Sequence, residues 1–524
     1  MAQFKVQIDN ILGGISPTQA FGGANQFDSS IGIDPDMPIT DSSVRTSGLL
    51  RPTAMNTFSS SGVTGAPLFI LTNPKDAKVY VYMSDGNVVS YNSALASETV
   101  LAKPTSGAGN GAFYYDNYLY FSTPTDISRY GPMNGSPSLT NNYWTSTLSK
   151  TALVNTTYPT VNSLSLPNHI MHYHGPTNNL YFVDVVGGKG TIHFISTTKS
   201  SVEGDTNNGS TYAKLTTTPY GYLPTCMETY GSDLAIGCVQ GTDATLIQKN
   251  ATILFWDTVA TSPNKTVAVG LPDPLVTAMK NVAGVLYVWL GNAQGGTRVI
   301  KFVGGYSWQE VAFFEESYPP LVGAVDHWMN KIVFGGNTTY PETSASVWSV
   351  GSKNAQLASS SPIHNILRTQ SGGNNGWVTA LKYVTQADNK IRQPICGWKD
   401  GSGQGIDNTT TGGNGNGAAN VWRSATYRVG KPFQIKRMRI PLAQTVASNM
   451  ILTAKFYVDE LTASTSTLVI NNTNYNGNKN ITKRITNITA KHSFILELRW
   501  TGNALMTVSL PIIVEGEILK DVNE

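Results

Sequence analysis

Apolar positions in this chain come in short runs, and the runs come in pairs. The clearest pair spans residues 284–303: Val285-Leu286-Tyr287-Val288-Trp289, a Gly/Asn turn, then a second run ending Val299-Ile300-Lys301-Phe302. Comparable first runs occupy 78–82, 117–121, 179–183, 233–237 and 330–334, and their second runs follow at 87–91, 126–130, 192–195, 253–256 and 347–350. A turn residue such as Asp116, Asn178, Asp233 or Asn330 usually opens the first run, and Ser84-Asp85-Gly86-Asn87 reads as a tight hairpin turn in which Gly86 supplies positive φ. Taking Val79, Leu119, Leu180, Leu234, Leu286 and Ile332 as equivalent, the unit recurs at spacings of 40 to 61 residues, with no helical stretch between. One such hairpin cannot bury its apolar faces alone, whereas hairpins stacked around an axis bury both faces of each. The pattern therefore predicts an all-β fold, a β-propeller of four-stranded blades over residues 61–400. Residues 377–384 and 395–398 form or complete a further blade, giving about six or seven; the rival assignment is a large sandwich.

The flanks read differently. Residues 1–60 lack the blade pattern and are expected to form an arm that lies over the fold or pairs with a neighbour. Residues 401–420, rich in Gly and Asn, read as a linker or long loop. Residues 421–524 resume as strands and predict a small C-terminal β-sandwich. In Gln434-Ile435-Lys436-Arg437-Met438-Arg439-Ile440, strict alternation sets Ile435, Arg437 and Arg439 on one face against Lys436, Met438 and Ile440.

Composition narrows the function. Charged residues are only 13% of the 524, with 50 Gly and dense Asn/Thr/Ser tracts, which suits a turn-rich protein with neutral polar contact surfaces. The net charge of +3 provides no global field toward nucleic acid or membrane. Positive charge does concentrate at Arg423, Arg428, Lys431, Lys436, Arg437 and Arg439, a candidate interface for an acidic partner or passing DNA against the plainer reading of a solvated sheet face. The start of the chain lacks the features of a signal peptide and no apolar run reaches bilayer-spanning length, so a soluble protein made in a cytoplasm is expected. Cys226, Cys238 and Cys396 form no CxxC pair and are expected to be buried thiols.

Candidate chemistry is sparse. His169, His172 and His174 form an H-x-x-H-x-H cluster in which a strand places His172 and His174 on one face, a geometry for a metal pair. Without an acidic partner at a defined spacing, polar positions on a solvent-facing edge are the preferred reading. Glu315 and Glu316 are adjacent, so in a strand they point to opposite faces and make a weak glycosidase pair. Asp boxes, GxSxG, HExxH and EF-hand signatures are absent from the sequence. No catalytic residue, metal or cofactor is assigned, and the protein is expected not to be an enzyme; a propeller glycosidase is the rival on that point.

One resemblance adds to this. Asn10, Leu12, Gly13, Gly14, Ile15 and Ser16, followed by a Gln-bearing irregular stretch and then Gly48, Leu49, Arg51 and Pro52, resemble the opening of the nozzle proteins of short-tailed phages (tail tubular protein B-like). The motif covers about the first fifty residues; the middle is similar in architecture only, and this chain is markedly shorter than the family, with a distinct tail domain. The resemblance implies a virion structural protein of the tail, made in the host cytoplasm, that assembles with itself as a ring, a hexamer by likeness. It also implies contacts with the tail adaptor and other tail proteins, transient contact with exiting viral DNA, and an assembly role for the ten motif residues. The alternative is a host-binding tail or fibre protein recognising a surface glycan.

Overall fold

The computed structural model describes residues 2–519 with interruptions, the longest being 16–25, 36–49, 159–166, 197–215, 241–250, 352–362 and 411–418. Antiparallel four-stranded units follow one another along the chain, the first six paired in sequence order. Blade one is Pro67–Thr72, Val79–Met83, Val88–Tyr91 and Glu98–Ala102. Blades two to six begin at Gly111–Tyr115, Met171–His174, Tyr222–Tyr230, Leu275–Val282 and Val325–Trp328. Blade seven is Trp377–Thr385, Arg392–Lys399 and Gln404–Thr410, closed by Ala54–Thr57 as its outermost strand. First strands of successive blades touch one another around a closed circuit, blade seven returning to blade one, so the described residues form a seven-bladed β-propeller.

The six hairpins expected from the sequence are the second and third strands of blades one to six. Their alternate residues face opposite neighbours: Leu234 and Ile236 pack on Tyr181, Val183 and Phe194 of blade three, while Ala235, between them, packs with Leu286, Val288 and Ile300 of blade five. That is why these runs are apolar throughout. Gly86 adopts φ +85°, as the hairpin turn requires. Cys226, Cys238 and Cys396 are buried free thiols, and burial pushes each well above the ordinary range.

The flanks depart from expectation. Residues 404–410, expected in a linker, are the third strand of blade seven, ordered in part by the Asp400 carboxylate, which accepts from the Ser402 and Gly403 amides at 2.7 Å each. The described parts of the amino-terminal stretch are strands of the fold rather than an arm lying over it. Gln3–Ile8 pairs with Ile512–Ile518, and Gln26–Ile31 pairs with Asn420–Ser424. Both ends of the chain thus build one terminal module, a four-stranded and a seven-stranded sheet. The two sheets share one buried cluster that includes Ile435, Met438, Ile440 and Val514 from the first, and Trp422, Leu452, Phe456, Leu498 and Trp500 from the second. The chain enters through the module, closes the propeller with Ala54–Thr57, runs seven blades, and returns.

Module and propeller meet along Ile363–Arg368, the outer strand of blade six. Gly32 N–H donates to Asn365 Oδ1 and Ile33 N–H to the Asn365 carbonyl, each at 3.0 Å, and the Lys331 ammonium lies 3.2 Å from the buried Asp34 carboxylate. Beside them His364 sits against Phe27, ring centroids 5.8 Å apart. Burial, reinforced by Lys331 and opposed by Asp34, pushes the His364 imidazole down to about 3. A histidine held neutral in the folded state contributes stability that is complete above its unfolded pKa of about 6.5 and is lost as pH falls toward 3. In urea titrations this group is expected to contribute a slope of about 1.4 kcal/mol per pH unit across that window. His364→Gln should remove that slope; an unchanged pH profile would contradict the assignment.

Candidate functional site

Among the described residues, a cluster of charged side chains lies on the outer face of the four-stranded sheet, ordered Gln3–Ile8, Ile512–Ile518, Phe433–Pro441 and Asn480–Ala490. A register shift between Ile435 and Arg437 corrects the strict alternation read from the sequence. The extra residue at Lys436 shifts the phase, so Ile435 joins Met438 and Ile440 in the core while Lys436, Arg437 and Arg439 come out on the solvent side. Arg437 Nε lies 2.6 Å from Glu515 Oε2, Arg439 Nη2 3.8 Å from Glu515 Oε1, and Lys436 Nζ 3.3 Å from Glu517 Oε2. Across the strands Lys5 registers with Glu515, and Arg437 with Arg484. An open groove of about 580 Å3 runs between these side chains, with Thr482 in its lining.

Of the six basic residues singled out in the sequence, three share this face. Arg428 and Lys431 are exposed elsewhere in the module. Arg423 is no surface cation: it is buried in the other sheet, 3.3 Å from the buried Glu497 carboxylate, with its guanidinium 4.4 Å over the Tyr457 ring. Lys5 and Arg484 were missed because they stand far from residue 437 in the chain and reach it only through sheet pairing.

Most of the nozzle-like motif, namely Asn10, Leu12, Gly13, Ser16, Gly48, Leu49, Arg51 and Pro52, lies outside the described residues. Gly14, at φ +75°, donates its N–H to the Ile11 carbonyl at 3.2 Å and opens a short parallel pairing with Gln26. Ile15 packs against the shared core. Glu315 and Glu316 also lie outside the described residues.

The histidine cluster resolves into separate roles. His169 is buried between the Thr123 and Val154 carbonyls, 2.9 and 3.0 Å away, and Asp184 lies 3.3 Å from its Nε2. His172 and His174 do share a face, but both turn to Thr229 Oγ1 at 3.0 Å. Because the Ser232 carbonyl can only accept, His174 Nε2 donates to it at 3.1 Å; His174 Nδ1 then accepts from the Thr229 hydroxyl, whose oxygen accepts from His172 Nε2–H. Burial pushes both imidazoles below the ordinary value, with Glu228 opposing it for His172 and the Ser232 contact for His174. These nitrogens are committed to a relay between blades three and four. Among the described residues no group of three or more His, Cys, Asp or Glu is placed to hold a metal.

His172 also belongs to a ring around the propeller axis that sequence reading missed. Leu71, Phe113, His172, Glu228, Lys280, Asp326 and Lys382 occupy the same register position on the first strands of blades one to seven. Neighbours touch: Phe113 and His172 edge to face at 6.0 Å, His172 to Glu228 at 3.6 Å, Lys280 to Asp326 at 3.9 Å, Lys382 to Asp326 at 3.8 Å. Burial works to raise the Asp326 carboxyl, but Lys382, His327, Lys280 and the Tyr383 amide hold it well below the carboxylate range. The signal was in the sequence, since Phe113, Glu228, Lys280 and Asp326 each stand six positions before Leu119, Leu234, Leu286 and Ile332. Toward the start of the strands, Val322 packs against clusters between blades one and two, three and four, and four and five. Only an axial side chain can touch all three, so the turn Val322–Ala324 floors the channel.

Strand order defines the class of the larger body, a seven-bladed β-propeller carrying a two-sheet module. No family model matches the sequence, and no curated protein matches it. Among solved structures, the chain is similar to the β-propeller domain of Cps50 (Swd1) of Myceliophteria thermophila, at 10% identity and TM-score 0.42, over 68% of this chain and 99% of that one. It is also similar to the Pan2 WD40 domain of Neurospora crassa, at 9% identity and TM-score 0.40, over 69% and 95%. A chain of a mitotic checkpoint complex aligns at 11% identity and TM-score 0.41, over 72% and 98%. These likenesses concern the fold alone.

Proposed function

We propose that the protein is a structural component of a short-tailed phage tail, a nozzle-like protein that assembles with itself into a ring and contacts the tail adaptor and other tail proteins. The observation that carries this reading is the course of the motif-bearing amino-terminal segment. It contributes strands to the terminal module and then closes blade seven, so the stretch that resembles the nozzle proteins is also the one that ties the two bodies together. A floored propeller axis offers no path for a strand of DNA, so in this reading the exit path runs between subunits. The proposed role is non-catalytic. Glu228 and Asp326, carboxylates of the axial ring, are each engaged by cationic or imidazole side chains of neighbouring blades, which suits a cross-braced scaffold rather than two carboxylates facing each other across a substrate. Sedimentation velocity of the full chain should give a single closed oligomer, six subunits by the family likeness. A monomer at micromolar concentration would remove the ring from the proposal.

A further inference from the structure

We infer that the outer face of the four-stranded sheet in the terminal module binds the phosphodiester backbone of nucleic acid without reading its sequence. This goes beyond the proposed structural role, to the contact with exiting DNA that the resemblance implies, and rests on separate observations. Five cations, Lys5, Lys436, Arg437, Arg439 and Arg484, share a face with two carboxylates, Glu515 and Glu517. Arg437 and Arg439 both engage Glu515, and Lys436 engages Glu517; Lys5 and Arg484 have no ion-pair partner among the described residues. Arg484 stands in register with Arg437 on the adjacent strand, and like charges placed opposite each other cost stability unless an anion lies between them.

The groove over this pair is open, and its Thr482 hydroxyl adds a donor. From Lys5 on the first strand to Arg484 on the fourth is about 14 Å at the usual strand spacing of about 4.8 Å. Laid along a duplex axis, that length spans about four phosphates of each strand at an axial rise of about 3.4 Å each. The one aromatic residue of the lining, Phe4, packs on Phe433 with centroids 5.1 Å apart, so stacking on bases is not offered. A whole-chain charge of only +3 makes this concentration local rather than a general property of the surface.

The test is fluorescence anisotropy of the full-length protein with a labelled 30-base-pair duplex at 50 to 200 mM NaCl. Four phosphate contacts predict a log–log salt slope of about −3.6, about a 150-fold loss of affinity over that range, equal for two unrelated sequences. Arg484→Glu and Lys5→Glu should each weaken binding at least tenfold at 50 mM salt, whereas Lys189→Glu, exposed at the start of the third strand of blade three, should not. Arg484→Glu also replaces a like-charge pair by an ion pair, so its thermal midpoint should equal or exceed the parent's while binding falls. Absence of binding at 50 mM salt, or binding indifferent to both reversals, would overturn the inference. Polyglutamate competing as well as DNA at equal charge would overturn it in favour of an acidic protein segment. Because the readout uses free DNA, binding can fail while the ring forms, and the ring can fail while binding persists.

Discussion

Removal of residues 1–57 is expected to abolish the folded protein rather than release an intact propeller. The deletion strips Gln3–Ile8 from one sheet of the module, Gln26–Ile31 from the body of the other, and the outermost strand from blade seven. Ile8, Phe27, Ile31 and Ile33 are all buried to within 5% exposure. At about 1.5 to 3 kcal/mol for each buried apolar side chain, their loss alone is about 6 to 12 kcal/mol, against a typical total stability of about 5 to 15. Left behind are a Gln404–Thr410 strand with one edge open, still paired to Arg392–Lys399 on the other, and an exposed module core, both prone to association. Circular dichroism melts of the soluble fraction read the outcome. A truncated protein that unfolds cooperatively within a few degrees of the full chain would show that the segment is dispensable.

The second large effect belongs to the seam between module and propeller. Lys331→Met leaves the Asp34 carboxylate, 5% exposed, without the ammonium at 3.2 Å. Breaking a buried pair from one side costs about 3 to 5 kcal/mol, whereas replacing both partners with apolar residues is often neutral. Urea denaturation should therefore show a large loss for Lys331→Met and recovery of most of it in the double variant Asp34→Leu, Lys331→Met. A single variant as stable as the parent would mean that the pair does not hold the seam. A double variant no better than the single would place the cost in shape rather than charge.

What was legible in the chain follows from how many faces each strand buries. Second and third strands of a blade pack on both neighbours, so Leu234-Ala235-Ile236 and Leu286-Tyr287-Val288 stand out as apolar runs. First strands carry axial polar residues and register shifts, as between Pro224 and Cys226 or Val276 and Ala278, which break any clean period. Fourth strands such as Lys265–Ala268 and Ser138–Thr140 are short and largely exposed, and they leave almost no hydrophobic trace. Blade seven takes its last strand from residues 54–57, and the module draws on both termini; such long-range pairing has no local signature. The basic face shows the same limit. Arg437 and Arg439 were visible as charges, but one inserted residue at Lys436 decided which side they occupy, and only the sheet register brought Arg484 and Lys5 to them.

Electron cryo-microscopy of the purified full-length protein tests the ring most directly. Closed rings are expected in which the central bore lies between propellers, each propeller axis blocked at Val322 and standing apart from the bore. Isolated monomers, or assemblies whose bore is the propeller axis itself, would contradict it.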